Sequence, residues 1–159
     1  MAIRRIREEG DEILKKVSKP VEVVDEKIRQ LVQDMLETMY KFNGVGLAAV
    51  QVGLLKRILV IHIDYEKEKP VILINPEIKK QKGSQTCDEG CLSFPNKYAK
   101  VERPEEIVVE GLDENGKKIT VKGKGLLAQA LSHEIDHLNG EVFIDKILPG
   151  TLEYVTPEE

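Results

Sequence analysis

The segment His133-Glu134-Ile135-Asp136-His137 sets two imidazoles four residues apart, with a carboxylate beside the first. On a helix, positions i and i+4 stand one above the other on the same face, so both rings reach a single metal ion. Glu134 then leans over that ion and can take a proton from water held there. The plainer alternative is a polar helix whose histidines are satisfied surface or core groups. The chain has three histidines, His62, His133 and His137, and two of them fall in this pattern, which favours the metal.

Two ligands make a loose site. Catalytic ions of this kind usually take three protein ligands and leave one position open. The candidate third ligand is Cys91, in Glu89-Gly90-Cys91-Leu92-Ser93. A thiolate binds metal strongly, and Gly90 beside it permits unusual backbone angles. A buried apolar thiol is the commonest fate of a free cysteine and is the stronger reading of Cys91 taken alone; beside the His133–His137 pattern the two readings stand level. Gly44-Val45-Gly46-Leu47-Ala48-Ala49 imitates a dinucleotide fingerprint. That fingerprint follows a strand and opens a helix, whereas this one follows helical sequence and runs into strand-like sequence, which excludes it. It is either a glycine hinge at a helix end or a stretch whose Val45 and Gly46 backbone faces a bound peptide, with Gln51 nearby.

These residues need elements to hold them. The periodicity of Leu126–Leu138 predicts the helix that carries the histidines, closed by Asn139-Gly140. Asp25 is a good N-cap for a helix over Glu26–Phe42, whose Ile28, Leu31, Val32, Met35, Leu36 and Met39 form one apolar face. A short helix is expected over Asp11–Val17, stopping before Pro20. Arg57–Ile63, Val71–Ile74, Glu106–Leu112 and Lys118–Lys122 read as strands, the last two joined at the Asn115-Gly116 hairpin turn. If Cys87–Cys91 is also a strand, its two cysteines share a face. A β-rich middle between helices predicts an α+β fold rather than an alternating α/β one.

The length, 159 residues, suits one domain over 1–159 with its own core. A net charge of −4 gives no bulk attraction to DNA or to a membrane surface. Apolar runs such as Ile58–Ile61 are far too short to span a bilayer. Met1–Glu12 has basic and acidic residues but no apolar stretch, so neither a secretory signal nor a transit peptide is expected. The expected compartment is the cytoplasm, where a disulfide between Cys87 and Cys91 is not expected.

Gly44-Val45-Gly46-Leu47-Ala48-Ala49-Val50-Gln51, Glu89-Gly90-Cys91-Leu92-Ser93 and His133-Glu134-Ile135-Asp136-His137, in this order and at these separations, resemble the three signature motifs of the peptide deformylase family. Lys19-Pro20-Val21, Leu73-Ile74-Asn75-Pro76 and Gly140 with Phe143-Ile144-Asp145 extend the resemblance over about Ile3 to Leu148. It implies antiparallel sheets packed around the C-terminal helix with the histidines. It implies a hydrolase that removes the formyl group from the N-terminal formylmethionine of nascent polypeptides. The implied metal ligands are Cys91, His133 and His137, holding Fe2+ that Ni2+, Co2+ or Zn2+ can replace. Glu134 is implied as acid/base, and the Gln51 side chain and Leu92 N–H as oxyanion donors. Backbone groups of Val45, Gly46 and Gly90 are implied to take the substrate as an added strand. A methionine pocket is implied around Val45, Leu126, Gln129, Ala130 and His133.

Val50 and Ser132 depart from the commoner family residues at positions flanking the site. Thr151–Glu159 is short and acidic where some members carry a basic helix used on the ribosome, so contact with the ribosome through such a helix is not expected. Two rivals remain. A metallopeptidase cutting internal bonds would share the helix but usually takes Glu or His as third ligand. A closed structural zinc site of Cys87, Cys91, His133 and His137 is permitted by the spacings, yet it leaves Glu134 and Gln51 without a role.

Overall fold

The computed structural model describes residues 2–155. The end of the acidic stretch, 156–159, lies outside the described residues. Among the described residues, two α-helices, α1 (Glu26–Lys41) and α2 (Leu126–Leu138), accompany eight strands: β1 (Gly46–Ala48), β2 (Ile58–Ile61), β3 (Val71–Lys82), β4 (Gln85–Cys91), β5 (Phe94–Arg103), β6 (Glu106–Leu112), β7 (Lys118–Lys124) and β8 (Glu153–Tyr154). One sheet runs β1-β2-β3-β6-β7 and the other β4-β5-β8. All the strand pairs are antiparallel, as expected of an α+β fold.

The five-stranded sheet lies between the two helices. Ile58, Val60, Ile72 and Ile74 point to α1, where they meet Ile28, Leu31, Val32, Met35 and Met39. Their neighbours Leu59, Ile61 and Leu73 point the other way, to Ala128, Leu131, Ile135 and Leu138 of α2. A strand alternates its side chains between faces, so coverage on both sides requires the continuous apolar runs of β2 and β3. A third cluster is built on Phe94, Val101, Val142 and Phe143.

Several boundaries differ from expectation. The first helix is one 3-10 turn, Glu12–Lys15, capped by Asp11. Val17 lies largely exposed beyond it, so no second buried turn exists to extend it. β3 runs on to Lys82, past Pro76, through polar residues that pair with β6 across two register shifts. α1 ends at Lys41, with Asn43 at a positive φ of 56° turning the chain toward β1.

Candidate metal centre and active site

α2 presents His133, Glu134 and His137 on a buried face, where His137 has no exposure at all. Cys91 arrives from the end of β4, after a register shift at Gly90 and just before the two-residue turn Leu92-Ser93 into β5. Its Sγ lies 3.3 Å from His137 Nε2. One ligand atom from each of Cys91, His133 and His137 falls within 4.8 Å of the others. Bonds of about 2.0–2.3 Å at tetrahedral angles put ligand atoms roughly 3.3–3.7 Å apart, so this donor set fits one transition-metal ion. Cys87, buried on the same face of β4 as Glu89 and Cys91, is not in the group, and a four-ligand structural site gains no support.

A buried ionic network orients the first histidine. His133 Nδ1 donates to Glu89 Oε1 at 2.6 Å, which turns Nε2 toward the putting-together of the three ligand atoms. Arg103 holds Glu89 through two bonds of 2.7 Å, and its Nη1 reaches Asp136 Oδ2 at 2.5 Å and Ser132 Oγ at 3.3 Å. Burial pushes the Glu89 carboxyl up, but the bonds from Arg103 and His133 outweigh it and hold the group down at about 2. Glu89 is therefore a fixed carboxylate. Neither it nor Arg103 nor Asp136 was assigned a role from the sequence. The signal available was that Glu89 and Asp136 sit inside the two motifs.

Glu134 Oε2 lies 4.0 Å from His133 Nε2. Its Oε1 is buried and has no hydrogen-bond partner among the described residues. Burial pushes this carboxyl up to about 7 against the pull of His133. A carboxyl that exchanges its proton near neutrality beside a metal-ligand set has the properties of a general base.

The site opens into a cavity of about 780 Å³, bordered by Val45, Gly46, Gln51, Gly90, Cys91, Leu92, Leu126, Gln129, Ala130, His133 and Glu134. Each of the sequence-derived site residues therefore lies on this wall except His137, which is buried behind it. Gln51 sits in a 3-10 turn, Ala49–Val52, following β1. Ala48 N–H fixes its Oε1 at 2.9 Å, and its Nε2 points to Ser93 Oγ at 3.1 Å and Cys91 Sγ at 3.4 Å. Gln129 Nε2 donates to the Asp88 carbonyl at 3.1 Å, tying α2 to β4.

Gly46 explains the glycine-rich stretch. A Cβ there would stand 2.6 Å from Glu134 Oε2, so the carboxylate occupies the space a side chain would need. β1 is the edge of its sheet. His62 N–H donates to Val45 O at 2.8 Å, so Val45 faces β2. Ladder alternation then turns the Gly46 N–H and C=O outward, along the cavity. At Gly90 a Cβ would come 2.6 Å from the Tyr98 ring.

The polypeptide deformylase family model matches residues 3–152. The chain is 58% identical over 148 residues to a peptide deformylase of Acetivibrio thermocellus, covering 93% of this chain and 85% of that one. The fold superposes on a crystal structure of a peptide deformylase from Legionella pneumophila with a TM-score of 0.89 at 46% identity, covering 92% and 87% of the two chains. It superposes on a Met-Ala-Ser-bound class I type b peptide deformylase from Acinetobacter baumannii with a TM-score of 0.86 at 33% identity, covering 91% and 98%.

Proposed function

The chain belongs to the peptide deformylase family and is a metal-dependent hydrolase that removes the N-formyl group from newly made proteins; we propose that Cys91, His133 and His137 hold its metal and that Glu134 moves the protons. The observation that carries this reading is the meeting of three ligand atoms within 4.8 Å of one another at the end of a cavity that Glu134 also faces. We assign Fe2+ to the site, with Ni2+, Co2+ or Zn2+ able to replace it, because the mixed thiolate and imidazole set suits each of these ions.

When bound, a divalent ion acidifies water and polarises the formyl oxygen. Glu134 accepts a proton from the attacking water. As the C–N bond breaks, Glu134 hands a proton to the peptide nitrogen, and the products are formate and a free α-amine. Gln51 Nε2 and Leu92 N–H donate to the oxygen on which negative charge develops, one such donor contributing about 3 kcal/mol. Glu89 and Arg103 keep the His133 ring in place. The outward edge of Gly46, with Gly90 across the cavity, receives the peptide backbone, and Val45, Leu126, Gln129, Ala130 and His133 enclose the methionine side chain. The Acinetobacter relative was solved with Met-Ala-Ser bound, which supports a short peptide as the ligand.

Residues 1–159 form one catalytic domain in this reading. Its substrates are N-formylmethionyl nascent polypeptides in the cytoplasm, met through a transient contact with the ribosome. DNA and membrane have no part in it. No helix among the described residues is long and apolar enough to cross a membrane. The test is formate release by anaerobically prepared, iron-loaded protein from formyl-Met-Ala-Ser, run beside unformylated Met-Ala-Ser. Formate from the first and no cleavage of the second is expected. Cleavage of internal bonds in the unformylated peptide would instead make the protein an endopeptidase.

A further inference from the structure

His62, the third histidine, is distant in sequence from the catalytic motif and takes no part in the metal group. It is buried, with 7% exposure, and both ring nitrogens and its backbone N–H are engaged. Its ring Nε2 lies 2.6 Å from the Glu68 carbonyl and its Nδ1 lies 2.7 Å from Tyr40 Oη. A carbonyl only accepts, so Nε2 carries the hydrogen and Nδ1 accepts from the tyrosine. Its backbone N–H donates to Val45 O. Tyr65, in the loop that Glu68 closes, donates its hydroxyl to the Gly44 carbonyl. The three rings pack edge-on or tilted, with centroids 5.0–5.6 Å apart.

Two consecutive carbonyls are thus held, Gly44 by the Tyr65 hydroxyl and Val45 by the main-chain N–H of His62, whose ring the cluster fixes in place. Leu92 also closes on Gly44, where a Cβ would come within 2.8 Å of Leu92 Cδ1. The segment between them leads into the Gly46 edge. An edge strand of three residues has little pairing of its own to keep it extended.

We infer that Tyr40, His62 and Tyr65 are positioning residues that hold the Gly44–Gly46 edge ready to pair with the substrate's peptide backbone, so that they govern recognition of the chain beyond the formylmethionine. The inference rests on the reading of Gly46 as the peptide-binding edge. A preformed edge costs less order on binding than one that must be straightened by the peptide. Its effect falls on substrates long enough to pair with the edge and spares a single-residue substrate.

The experiment compares kcat/KM for formyl-Met-Ala-Ser with that for formylmethioninamide in wild type, Tyr65→Phe and His62→Ala. Loss of the Tyr65 bond should lower the peptide-to-amide ratio about fivefold, and loss of His62 should lower it tenfold or more, taking about 1 kcal/mol per hydrogen bond. An unchanged ratio, whether both substrates keep their rates or both lose them equally, overturns the inference. Tyr65 is partly exposed and its hydroxyl can be removed without threatening the core, so the inference stays testable if His62→Ala does not fold. Binding of the product Met-Ala-Ser, followed by calorimetry, should weaken in Tyr65→Phe by a similar factor. That measurement needs no turnover, so a wild type that releases no formate from either substrate would refute the catalytic reading while leaving the edge measurable.

Discussion

Replacing Gly46 by alanine tests the link between the glycine-rich stretch and the catalytic carboxylate. The added methyl would lie 2.6 Å from Glu134 Oε2 and 3.1 Å from its Cδ and Cγ. Ordinary contact starts near 3.4 Å, so the carboxylate must retreat by about 0.8 Å. Gly46 is not among the glycines with positive φ, so an alanine there meets no backbone strain. Glu134 can give way by rotating its side chain, which keeps the cost to folding small. The same retreat takes the general base away from the water it must deprotonate. A misplacement near 1 Å costs on the order of a hundredfold in rate, or roughly 2.7 kcal/mol. G46A is therefore expected to lose between thirty- and a hundredfold in kcat, an order-of-magnitude range on that same scale, while keeping its metal and melting close to wild type. Steady-state formate release, metal analysis and a thermal melt decide it. A variant with wild-type kcat and a much lower Tm would show that Gly46 serves packing and that Glu134 is not held as described.

Glu134→Gln should retain metal and lose nearly all turnover, because the amide keeps the shape but cannot accept the proton; loss of metal along with activity would make Glu134 a ligand instead. Gln51→Ala should lower kcat about a hundredfold with a smaller effect on KM, since an oxyanion donor acts where charge develops; a raised KM at constant kcat would make it a binding residue. Asp34 offers a prediction about stability. Burial pushes its carboxyl up, but the Ala2 N–H, Gln30 and Arg4 outweigh this and hold it below the usual range. The stability it contributes is complete above its unfolded value, about 3.9, and is lost as pH falls through the lower folded value. Asp34→Asn should cost about 1–2 kcal/mol near neutral pH, with a gap to wild type that narrows below pH 4; a gap that stays constant from pH 7 to pH 3 would refute the assignment.

The catalytic helix was legible because i, i+4 spacing is a strong constraint and Leu126–Leu138 carries helical periodicity in the same residues. The buried runs of β2 and the start of β3 were legible for a similar reason, being apolar throughout. The rest of β3 was not, since Glu77–Lys82 reads as polar loop and is extended only because β6 pairs with it. Arg103 and Glu89 were missed because buried charge is invisible until a fold brings partners together. They lie fourteen residues apart on two strands of one hairpin, and only the pairing of β4 with β5 joins them. The need for glycine at position 46 was hidden as well, because it comes from the close approach of Glu134, which sequence spacing does not supply. His62 carried no signal at all, because it follows β2 while its partners Tyr40 and Glu68 come from α1 and a loop.

The metal-ligand set is tested most directly by metal stoichiometry in Cys91→Ser and Cys87→Ser, purified without air and analysed beside wild type. Cys91 Sγ belongs to the group of three ligand atoms and Cys87 does not, although both lie on one face of β4. One ion per chain is expected in wild type and in Cys87→Ser, with formate release largely preserved in the latter. Cys91→Ser should hold much less metal and release almost no formate, because a neutral hydroxyl replaces a thiolate. Equal loss of metal in the two variants would contradict the open three-ligand centre and the mechanism built on it.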